Sequence, residues 1–305
     1  MLAVAGSPPR GAPGRWWREW KYDGHRCRVV SERSGRVSLV SRGGRTVTAA
    51  FPEVAAAVAG VLAGRMAVLD GELVAPGPGG RPDFERLQGR ARTRATPARV
   101  AACPVVFVAF DLLACDGVDL TGRPLHERRG LLEDLGLGRD PRLLLSPVFL
   151  DVDPDVLLAA AREHGVEGVV SKRSTSVYSA GTRSKAWIKT VLTETGEFAV
   201  GGFTQGRARR PDAVGALLLG APTVDGGLEY VGEVGTGWTR TEHARLVAQL
   251  ADLTVDECPF TDGVRRLPRG ARFVRTELVG RVAYREHRPG SLLRHPAWKG
   301  TVHPG

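Results

Sequence analysis

The residues EWKYDGHR, Glu19–Arg26, decide how the rest of the chain is interpreted. They place Lys21 two positions before an Asp-Gly pair, a pattern so common in tight turns that alone it favours an ordinary surface lysine. The composition favours a special role for Lys21, since only five of the 43 lysines and arginines are lysines. Arginine stays charged in proteins, whereas a lysine amine can lose its proton and act as a nucleophile. The lysines are therefore either accidents of codon usage or candidates for chemistry, and their positions must decide.

The composition is that of a globular protein with 305 residues, of which 42% are hydrophobic and 25% charged. No apolar run reaches the roughly 20 residues that a membrane helix needs, and the first nine residues are too short and uncharged for a secretory signal. The four cysteines are widely spaced and form no CxxC pair. This pattern argues against a zinc site or a disulfide framework and predicts a protein of the reducing cytoplasm.

The chain carries a formal charge of +10 and an isoelectric point near 10.1, which favours a polyanionic partner such as nucleic acid. Residues 1–192 hold eight of these ten net positive charges. The phosphate-binding pattern GxxxxGK[ST] is absent, which excludes a P-loop nucleotide site. The patterns HExxH and GxSxG are absent as well, which argues against zinc-protease and serine-hydrolase chemistry.

Hydrophobic periodicity predicts a mixture of strands and helices in the first 192 residues. Asp83 is a plausible N-cap for one of the helices, and Asp-Gly or Ser-Gly pairs mark the turns. The pattern predicts a hairpin over 27–41, strands over 66–76, 104–115, 166–173 and 185–191, and helices over 51–62, 83–91, 124–135 and 154–164.

The residue pattern of the sequence changes after residues 191–196, a segment rich in threonine, glycine and glutamate. Short strands punctuated by glycine follow, with one amphipathic helix over 241–253 and a long strand over 271–287. Several short strands around one helix predict a small, partly open β-barrel. We therefore expect an α+β protein with two domains, 1–192 and 193–305.

Two strands of the first domain carry polar or aromatic residues that need an explanation. Asp70 and Glu72 alternate along the apolar strand VLDGELV, so each must meet a metal, a ribose hydroxyl or a basic partner. For Asp70 a structural ion pair and a ligand role are equally open, whereas Glu72 favours the ligand role. Phe110, in FVAFDLL, is by default a core residue; at a pocket wall it would instead stack on a purine base.

Two further segments carry most of the remaining lysines. Glu167 and Lys172 are five positions apart in VEGVVSKR, so on a regular strand they face opposite sides unless a bulge intervenes. Lys185, Trp187 and Lys189 share one face of the strand KAWIKT. Because two lysines beside a tryptophan make a poor core, this face predicts a wall that contacts phosphate. Lys185 has the alternative of extending into solvent from the strand end.

Six of these motifs in order resemble motifs I, Ia, III, IIIa, IV and V of the ATP-dependent DNA ligases: KYDGHR, SRGG, LDGEL, FVAFDLL, EGVVSK and RSKAWIK. The second half resembles the oligonucleotide-binding domain of the bacterial end-joining ligases of the C and D type, through GGFTQGRARR, GALLLGA, YVGEVGTGWT and LRHPAWKG. The resemblance implies an adenylation, or nucleotidyltransferase, domain with antiparallel sheets and flanking helices. An OB-fold β-barrel would follow it.

The resemblance also implies the reaction and the roles of individual residues. ATP is the substrate, Mg²⁺ or Mn²⁺ the metal, and Lys21 the nucleophile that becomes adenylated. Glu72 reads the ribose and Phe110 stacks on the adenine. The residues implied to bind the nucleotide are Glu19, Arg26, Arg42, Glu72, Phe110, Lys172 and Lys189. The residues implied to hold the metal are Glu167, Asp23 and Glu72.

The chain departs from the family pattern at two places. Val191 replaces the second lysine of the usual Lys-x-Lys in motif V. After Lys299 the chain reads Gly-Thr-Val-His-Pro-Gly, where the family has an Arg-x-Asp-Lys element that orients the pyrophosphate leaving group. These departures imply slow self-adenylation, so that a pre-adenylated nick is sealed faster than a 5′-phosphate nick supplied with ATP. They also leave open a catalytically impaired paralogue.

The resemblance implies nicked or broken duplex DNA as the substrate, in DNA repair or end joining. A Ku-like end-binding protein and a repair polymerase are the implied protein partners of a monomer that has no contact with membranes. An RNA ligase or a capping guanylyltransferase is the alternative within the enzymes, since both share the KxDG core. A DNA-end-binding module without catalysis is the alternative outside them.

Overall fold

The computed structural model describes residues 1–206, 214–285, 287 and 290–302 of the chain. Two compact units are formed, Met1–Leu192 and Thr193–Gly305. Within the described ranges, no helix has the length and apolar character that crossing a bilayer requires.

The first unit contains eleven strands and five α-helices. The strands are β1 Leu2–Ala5, β2 Trp16–Lys21, β3 His25–Ser31, β4 Val37–Ser41, β5 Ala67–Val74, β6 Val106–Cys115, β7 Val118–Asp119, β8 Leu143–Leu145, β9 Val148–Phe149, β10 Gly168–Arg173 and β11 Arg183–Val191. The helices are α1 Pro52–Leu62, α2 Phe84–Ala91, α3 Pro97–Ala102, α4 Leu125–Glu133 and α5 Pro154–Glu163.

These strands form two mainly antiparallel sheets. The five-stranded sheet has the order β1-β11-β10-β2-β9, and the six-stranded sheet has the order β4-β3-β5-β6-β7 with β8 beside β6. Helix α1 carries buried Val54, Val58 and Leu62 at four-residue spacing, so these side chains lie on one side of the helix. They belong to the same core as Val29 and Leu69 of the six-stranded sheet. The other face of that sheet is left for polar residues.

The local predictions for the first unit are confirmed. The predicted hairpin is formed by β3 and β4, which pair in antiparallel register, with Gly35 in the left-handed region at φ 81°. The Asp83 carboxylate accepts a hydrogen bond of 3.1 Å from the backbone N–H of Arg86 and caps α2. Strands and helices lie at every other predicted position, with ends shifted by a few residues.

The described residues of the second unit form a seven-stranded antiparallel sheet with one long helix. Its elements are β12 Glu194–Gln205, β13 Val214–Pro222, β14 Leu228–Val234, α6 Arg240–Leu253, β15 Thr254–Val255, β16 Arg272–Val274, β17 Val279–Tyr284 and β18 Ala297–Val302. Trp298 is fully buried, and its indole N–H donates to Glu242 of α6 at 2.9 Å. Gly280 leaves the room for this ring, because a Cβ there would lie 2.0 Å from it.

The prediction of one long strand over 271–287 is wrong. The segment forms two strands, β16 and β17, which pair with different parts of β12. The change falls at Gly201 and Gly202 of β12, where a Cβ would lie 2.6 Å from the Phe260 ring and 2.4 Å from the Arg272 carbonyl oxygen, respectively. The close packing in the middle of β12 coincides with the break between its partner strands β16 and β17. Hydrophobic periodicity in the sequence does not reveal this break.

Some residues quoted for the resemblance lie outside the described residues. These are the final four of GGFTQGRARR and the last three of the chain, His303–Gly305. Glu286, at the end of the predicted long strand, lies outside them as well.

Candidate active site

Lys21 is the last residue of β2, at the edge of the turn that leads into β3. Gly24 is required in this turn, because a Cβ there would lie 2.2 Å from the Leu73 carbonyl oxygen and 2.8 Å from Glu72 Cγ. The glycine lets β3 pass close against β5 from its first residue. The Asp-Gly pair therefore brings Lys21 next to the polar face of the six-stranded sheet.

The side chain of Lys21 contacts Glu167. The Lys21 Nζ lies 2.5 Å from Glu167 Oε2, and the Glu167 side chain is 8% exposed. Glu167 directly precedes β10, and Gly168 has a φ of 149°, at which L side chains are strained. A Cβ at Gly168 would also lie 2.1 Å from the Thr190 carbonyl oxygen. The irregular backbone at this glycine lets Glu167 and Lys172 serve the same site despite their five-residue spacing.

Lys172 pairs with Glu19 on the neighbouring strand. The Lys172 Nζ lies 2.8 Å from Glu19 Oε1, and each side chain is 3% exposed. The same ammonium lies 4.4 Å from the centre of the Phe110 ring and 4.5 Å from that of Trp187. A cation held between two aromatic rings is electrostatically favourable. Lys172 therefore forms the positive floor of the site, and Phe110 is a half-buried wall residue rather than a core residue.

Three of the lysines predicted to contact the nucleotide, Lys21, Lys172 and Lys189, lie on one face of the five-stranded sheet. Residues directly opposite each other in antiparallel strands share a face, as do alternate residues of one strand. Lys172 lies opposite Trp187, and Val170 lies opposite both Glu19 and Lys189. Lys21 therefore shares this face with Lys172 and Lys189. Val191, the departure from the family pattern, lies opposite Gly168 on the same face.

Trp187 contradicts the expectation that this face makes a poor core. It is 3% exposed and packs edge-on against Phe110 and Tyr178, with ring centres 6.1 and 6.0 Å apart. Lys185 is exposed at the start of β11, which fits the solvent alternative for this residue. Trp187 is therefore the apolar support beneath the site, and Lys189 remains half-buried beside it.

Asp70 is engaged in a structural ion pair. It receives hydrogen bonds from Arg26 Nε at 3.0 Å, from Arg26 Nη2 at 2.6 Å and from the Tyr178 hydroxyl at 2.7 Å. Burial lowers the pKa of Arg26, but the hydrogen bonds and the charge of Asp70 outweigh it and hold that pKa above its ordinary value. Burial and Asp70 likewise raise the pKa of Tyr178. The pair fixes the Arg26 guanidinium 5.5 Å from the centre of the Phe110 ring.

Glu72 has a different environment from Asp70. It lies opposite Arg26 on β3, and within the described residues its side chain forms neither an ion pair nor a hydrogen bond. Burial raises its pKa to about 8, with Asp70 and Glu167 adding repulsion and Lys21 and Arg26 opposing it. A buried carboxyl group with a shifted pKa is a candidate for contact with a ligand, and the ribose role of Glu72 stays a prediction.

Two further predicted site residues lie in turns beside the strands. Arg42 is exposed in the turn that follows β4. Asp23 lies in the turn after Lys21, and its charge raises the pKa of His25, although burial, the larger effect, lowers that pKa overall. The contacts above join Lys21 with Glu167, and Lys172 with Glu19 and Phe110. Arg26 lies near the same Phe110 ring, and Glu72 interacts electrostatically with Lys21 and Arg26.

Tyr178 contacts the site although the sequence pattern does not predict it. It lies in the polar segment between β10 and β11, where no periodic pattern exists. A fully buried ion pair holds this segment: Arg128 donates to Asp111 at 2.8 and 2.7 Å. Arg128 also donates to the Ser176 carbonyl oxygen at 3.0 Å. The pair therefore fixes the segment that carries Tyr178 against Asp70.

The site as a whole offers an amine, a carboxylate beside it, a second cation and an aromatic wall, all between the facing polar sides of two sheets. Such a set suits a ligand that combines an aromatic base with phosphates. Residues 9–190 match the family model described as the ATP dependent DNA ligase domain. Residues 210–302 match the model described as the ATP dependent DNA ligase C terminal region. The chain belongs to the ATP-dependent DNA ligase family.

Among the relatives of this ligase-family chain is the multifunctional non-homologous end joining protein LigD of Mycolicibacterium smegmatis. The two are 39% identical over 301 residues, which is 98% of this chain and 38% of LigD. The chain thus spans about two-fifths of the length of this relative. The predicted family is confirmed.

Solved structures agree with this ligase assignment. The ligase domain of LigD from Mycobacterium tuberculosis is 37% identical, with a TM-score of 0.57 and coverage of 99% of this chain and 94% of that domain. A mycobacterial DNA ligase D complexed with ATP and MES has the same identity and coverage, with a TM-score of 0.56. The predicted α+β architecture, an adenylation domain followed by an OB-like domain, is confirmed.

Proposed function

We propose that this chain seals nicks in duplex DNA with ATP, through a covalent adenylate on Lys21. The observation that carries the proposal is the pairing of Lys21 with Glu167 on the sheet face that also holds Lys172 against Phe110. A mycobacterial relative with 37% identity was solved with ATP, which supports ATP as the nucleotide here. Family membership supports DNA as the second substrate.

The reaction consists of three nucleotidyl or phosphoryl transfers. In the first, the Lys21 ammonium loses a proton to solvent and the neutral amine attacks the α-phosphorus of ATP. The Nζ–P bond forms, the bond to pyrophosphate breaks, and a second proton leaves Nζ for solvent. In the second, an oxygen of the DNA 5′-phosphate attacks the same phosphorus and the amine is released. In the third, the 3′-hydroxyl of the nick attacks the 5′-phosphorus, the phosphodiester forms and AMP leaves. The proton of the hydroxyl passes to solvent.

The described residues supply positioning and charge for these steps. Phe110 stacks on the adenine, with Trp187 as its edge-on support. Lys172 and Lys189 stabilise charge on the α-phosphate, and Glu19 orients Lys172 through their 2.8 Å ion pair. Arg26 contacts the sugar or the phosphates.

The residues Glu72 and Glu167 fit a divalent metal ion. Their oxygen donors are the type that Mg²⁺ and Mn²⁺ prefer. Burial is the main cause of the raised pKa of Glu72, and the charge of Glu167 adds a smaller contribution, so the two carboxyl groups interact electrostatically. Within the described residues no group of three or more acidic, histidine or cysteine residues forms a closed metal site. A two-carboxylate site fits an ion that takes its other ligands from phosphates and water. A bound metal would supply positive charge at the α-phosphate.

Labelling with radioactive nucleotide tests the proposed reaction. ATP labelled at the α-phosphate is expected to leave AMP on the protein, and the labelled protein is expected to seal a nicked DNA duplex. Label from GTP but not ATP would identify a capping-type enzyme, and sealing of RNA nicks alone would identify an RNA ligase. No label from either nucleotide would indicate a binding module and overturn the proposal.

We further propose that the departure at Val191 slows the first step more than the last. Val191 lies opposite Gly168, next to Glu167, and adds no positive charge beside the phosphates. In single turnovers, a pre-adenylated nick is then sealed faster than a 5′-phosphate nick supplied with ATP. Equal rates would show that other groups compensate.

End joining is the proposed pathway, because the relatives named above are end-joining proteins. A Ku-like end-binding protein and a repair polymerase are the proposed partners. Joining of linear duplexes with cohesive ends, with and without a purified bacterial Ku-type protein, tests this proposal. Stimulation by that protein of end joining but not of nick sealing is expected, and no stimulation would contradict the partnership.

A further inference from the structure

Arg18 of β2 is a buried cation on the side of the five-stranded sheet that faces away from Lys21. Its neighbour Glu19 pairs with Lys172 on the other side, and successive residues of a strand point to opposite faces. The Arg18 residue is 6% exposed. The proposed reaction makes no use of this arginine, so its burial needs a separate explanation.

The neighbours of Arg18 in the sheet offer it no carboxylate. Across the strands it lies opposite Ser171 of β10 and Phe149 of β9. Its Nη2 donates to the Pro9 carbonyl oxygen at 3.0 Å, and its buried Nε has no hydrogen-bond partner among the described residues. Within the same residues Arg18 forms no ion pair. A buried guanidinium with a single carbonyl partner keeps unused donors, and a buried charge without a counter-ion is costly.

Arg18 lines a cavity of about 290 Å³ between two surface loops. One loop, residues 10–13, precedes β2, and the other, residues 151–154, leads into α5. Trp16 and Val152 add aromatic and apolar surface to the walls. A cavity of this size and composition has room for a small organic molecule beside the guanidinium.

The carboxylates beside this cavity are engaged by other groups. Asp153 Oδ2 and Asp155 Oδ2 accept hydrogen bonds from Arg10 at 2.9 and 2.5 Å, respectively. Asp151 Oδ1 accepts one from a backbone N–H at 2.9 Å. In the part of the chain that the structure describes, none of the three forms an ion pair with Arg18. The charge of Arg18 is therefore left for a ligand.

We propose that this cavity binds a small organic anion, whose phosphate or carboxylate group pairs with Arg18 and whose apolar part packs against Trp16. Arginine presents its donors in a planar fork that matches such oxyanions, and charge-assisted hydrogen bonds are stronger than neutral ones. The cavity shares β2 with the nucleotide site but lies behind it, on the opposite face of the sheet. The inference does not depend on the proposed function.

Fluorine NMR titrations with 4-fluorophenyl phosphate and with 4-fluorobenzoate test the proposal at constant ionic strength. The neutral 4-fluorobenzyl alcohol shows what the apolar part contributes alone. Arg18→Met removes the cation and keeps an unbranched apolar side chain. Ala12→Trp narrows the cavity from an exposed position and leaves Arg18 in place. Arg162→Met, exposed on α5, is the matched control that loses the same charge.

The wild type and Arg162→Met are expected to bind at least one of the two anions with the same Kd. The neutral alcohol is expected to bind at least about tenfold more weakly. Arg18→Met and Ala12→Trp are expected to weaken binding of the anion at least about tenfold, since a hydrogen bond to a charged group is worth roughly 10- to 100-fold in affinity. The tighter of the two anions identifies phosphate or carboxylate as the ligand group.

Equal affinity of the wild type and Arg18→Met for the anions would overturn the proposal. So would the absence of binding of both anions to the wild type, or a neutral alcohol that binds as tightly as they do. Melting curves without ligand add a second readout, because removing a buried charge without a counter-ion is expected to leave Tm unchanged or to raise it. A lower Tm of Arg18→Met together with unchanged anion binding by Ala12→Trp would assign Arg18 to the fold alone.

Discussion

The ammonium of Lys21 lies 2.5 Å from Glu167 Oε2, although 146 positions separate the two residues. Their backbones are also joined, since the Glu167 N–H donates to the Lys21 carbonyl oxygen at 2.9 Å. The pairing of β2 with β10 thus places the lysine of motif I, KYDGHR, against the acidic residue of motif IV, EGVVSK. The acid holds the amine at the polar face where Glu72 and Arg26 also lie.

Glu167→Gln is expected to slow AMP transfer from ATP to Lys21 by roughly 10²- to 10³-fold, the range found when a positioned charge is removed from a transfer step. Glutamine keeps the size of the side chain but neither holds the ammonium by charge nor contributes a metal ligand. Rapid-quench labelling measures the rate. Glu163→Gln, at an exposed position of α5, serves as the control and should label normally. An unchanged rate for Glu167→Gln would remove Glu167 from the mechanism.

Tyr178→Phe is expected to raise the KM for ATP about five- to tenfold and to change kcat less. The ring that packs on Trp187 is kept, but Asp70 loses a hydrogen bond of 2.7 Å, which is worth about 1 kcal/mol. Arg26 is then less firmly oriented toward the nucleotide. Steady-state kinetics with ATP as the variable substrate give KM and kcat separately. Tyr230→Phe, in the second unit, is the control. A fall in kcat at unchanged KM would contradict this positioning role.

Glu72→Gln is expected to alter the pH dependence of stability when metal is removed by EDTA. The pKa of Glu72 is raised from 4.5 to about 8, so the folded wild type binds a proton more tightly than the unfolded chain does. Its stabilising contribution is complete below about pH 4.5 and is lost as the pH rises toward 8. Glutamine does not titrate. The difference in Tm between variant and wild type should therefore move in favour of the variant between pH 5 and 8. A constant difference would contradict the raised pKa.

Asp111→Ala is expected to destabilise the protein by about 3–5 kcal/mol, because it leaves the buried Arg128 guanidinium without its carboxylate. Urea unfolding followed by circular dichroism measures the loss. Glu32→Ala, which breaks an exposed pair with Arg36, is the control and should change stability by less than about 1 kcal/mol. A similar loss of unfolding free energy in both variants would show that the buried Asp111–Arg128 pair stabilises the fold no more than an exposed pair does.

The sequence predicted the fold well where local pattern determines structure. Helix α1 and strand β5 follow from spacing alone, since their apolar residues repeat at the periods of a helix and a strand. The break between β16 and β17 could not be predicted this way. It accompanies close packing at Gly201 and Gly202, which only the folded sheet brings about.

The site was predicted less from spacing than from the family resemblance. Spacing alone left Asp70 open between two roles, and only the contacts with Arg26 and Tyr178 decide for an ion pair. Trp187 was expected outside the core, because its lysine neighbours were visible in the sequence and its aromatic partners were not. Tyr178 carried no signal, since its role depends on a long-range hydrogen bond.

The central claim is that the Lys21 amine forms the bond to AMP. Intact-mass spectrometry after incubation with ATP and Mg²⁺ tests it directly on the wild type, on Lys21→Arg and on Lys185→Arg, the last being an exposed-lysine control. The wild type and the control are expected to gain the mass of AMP, whereas Lys21→Arg gains none, because arginine keeps its charge and cannot act as the nucleophile. An AMP adduct on Lys21→Arg would contradict the account.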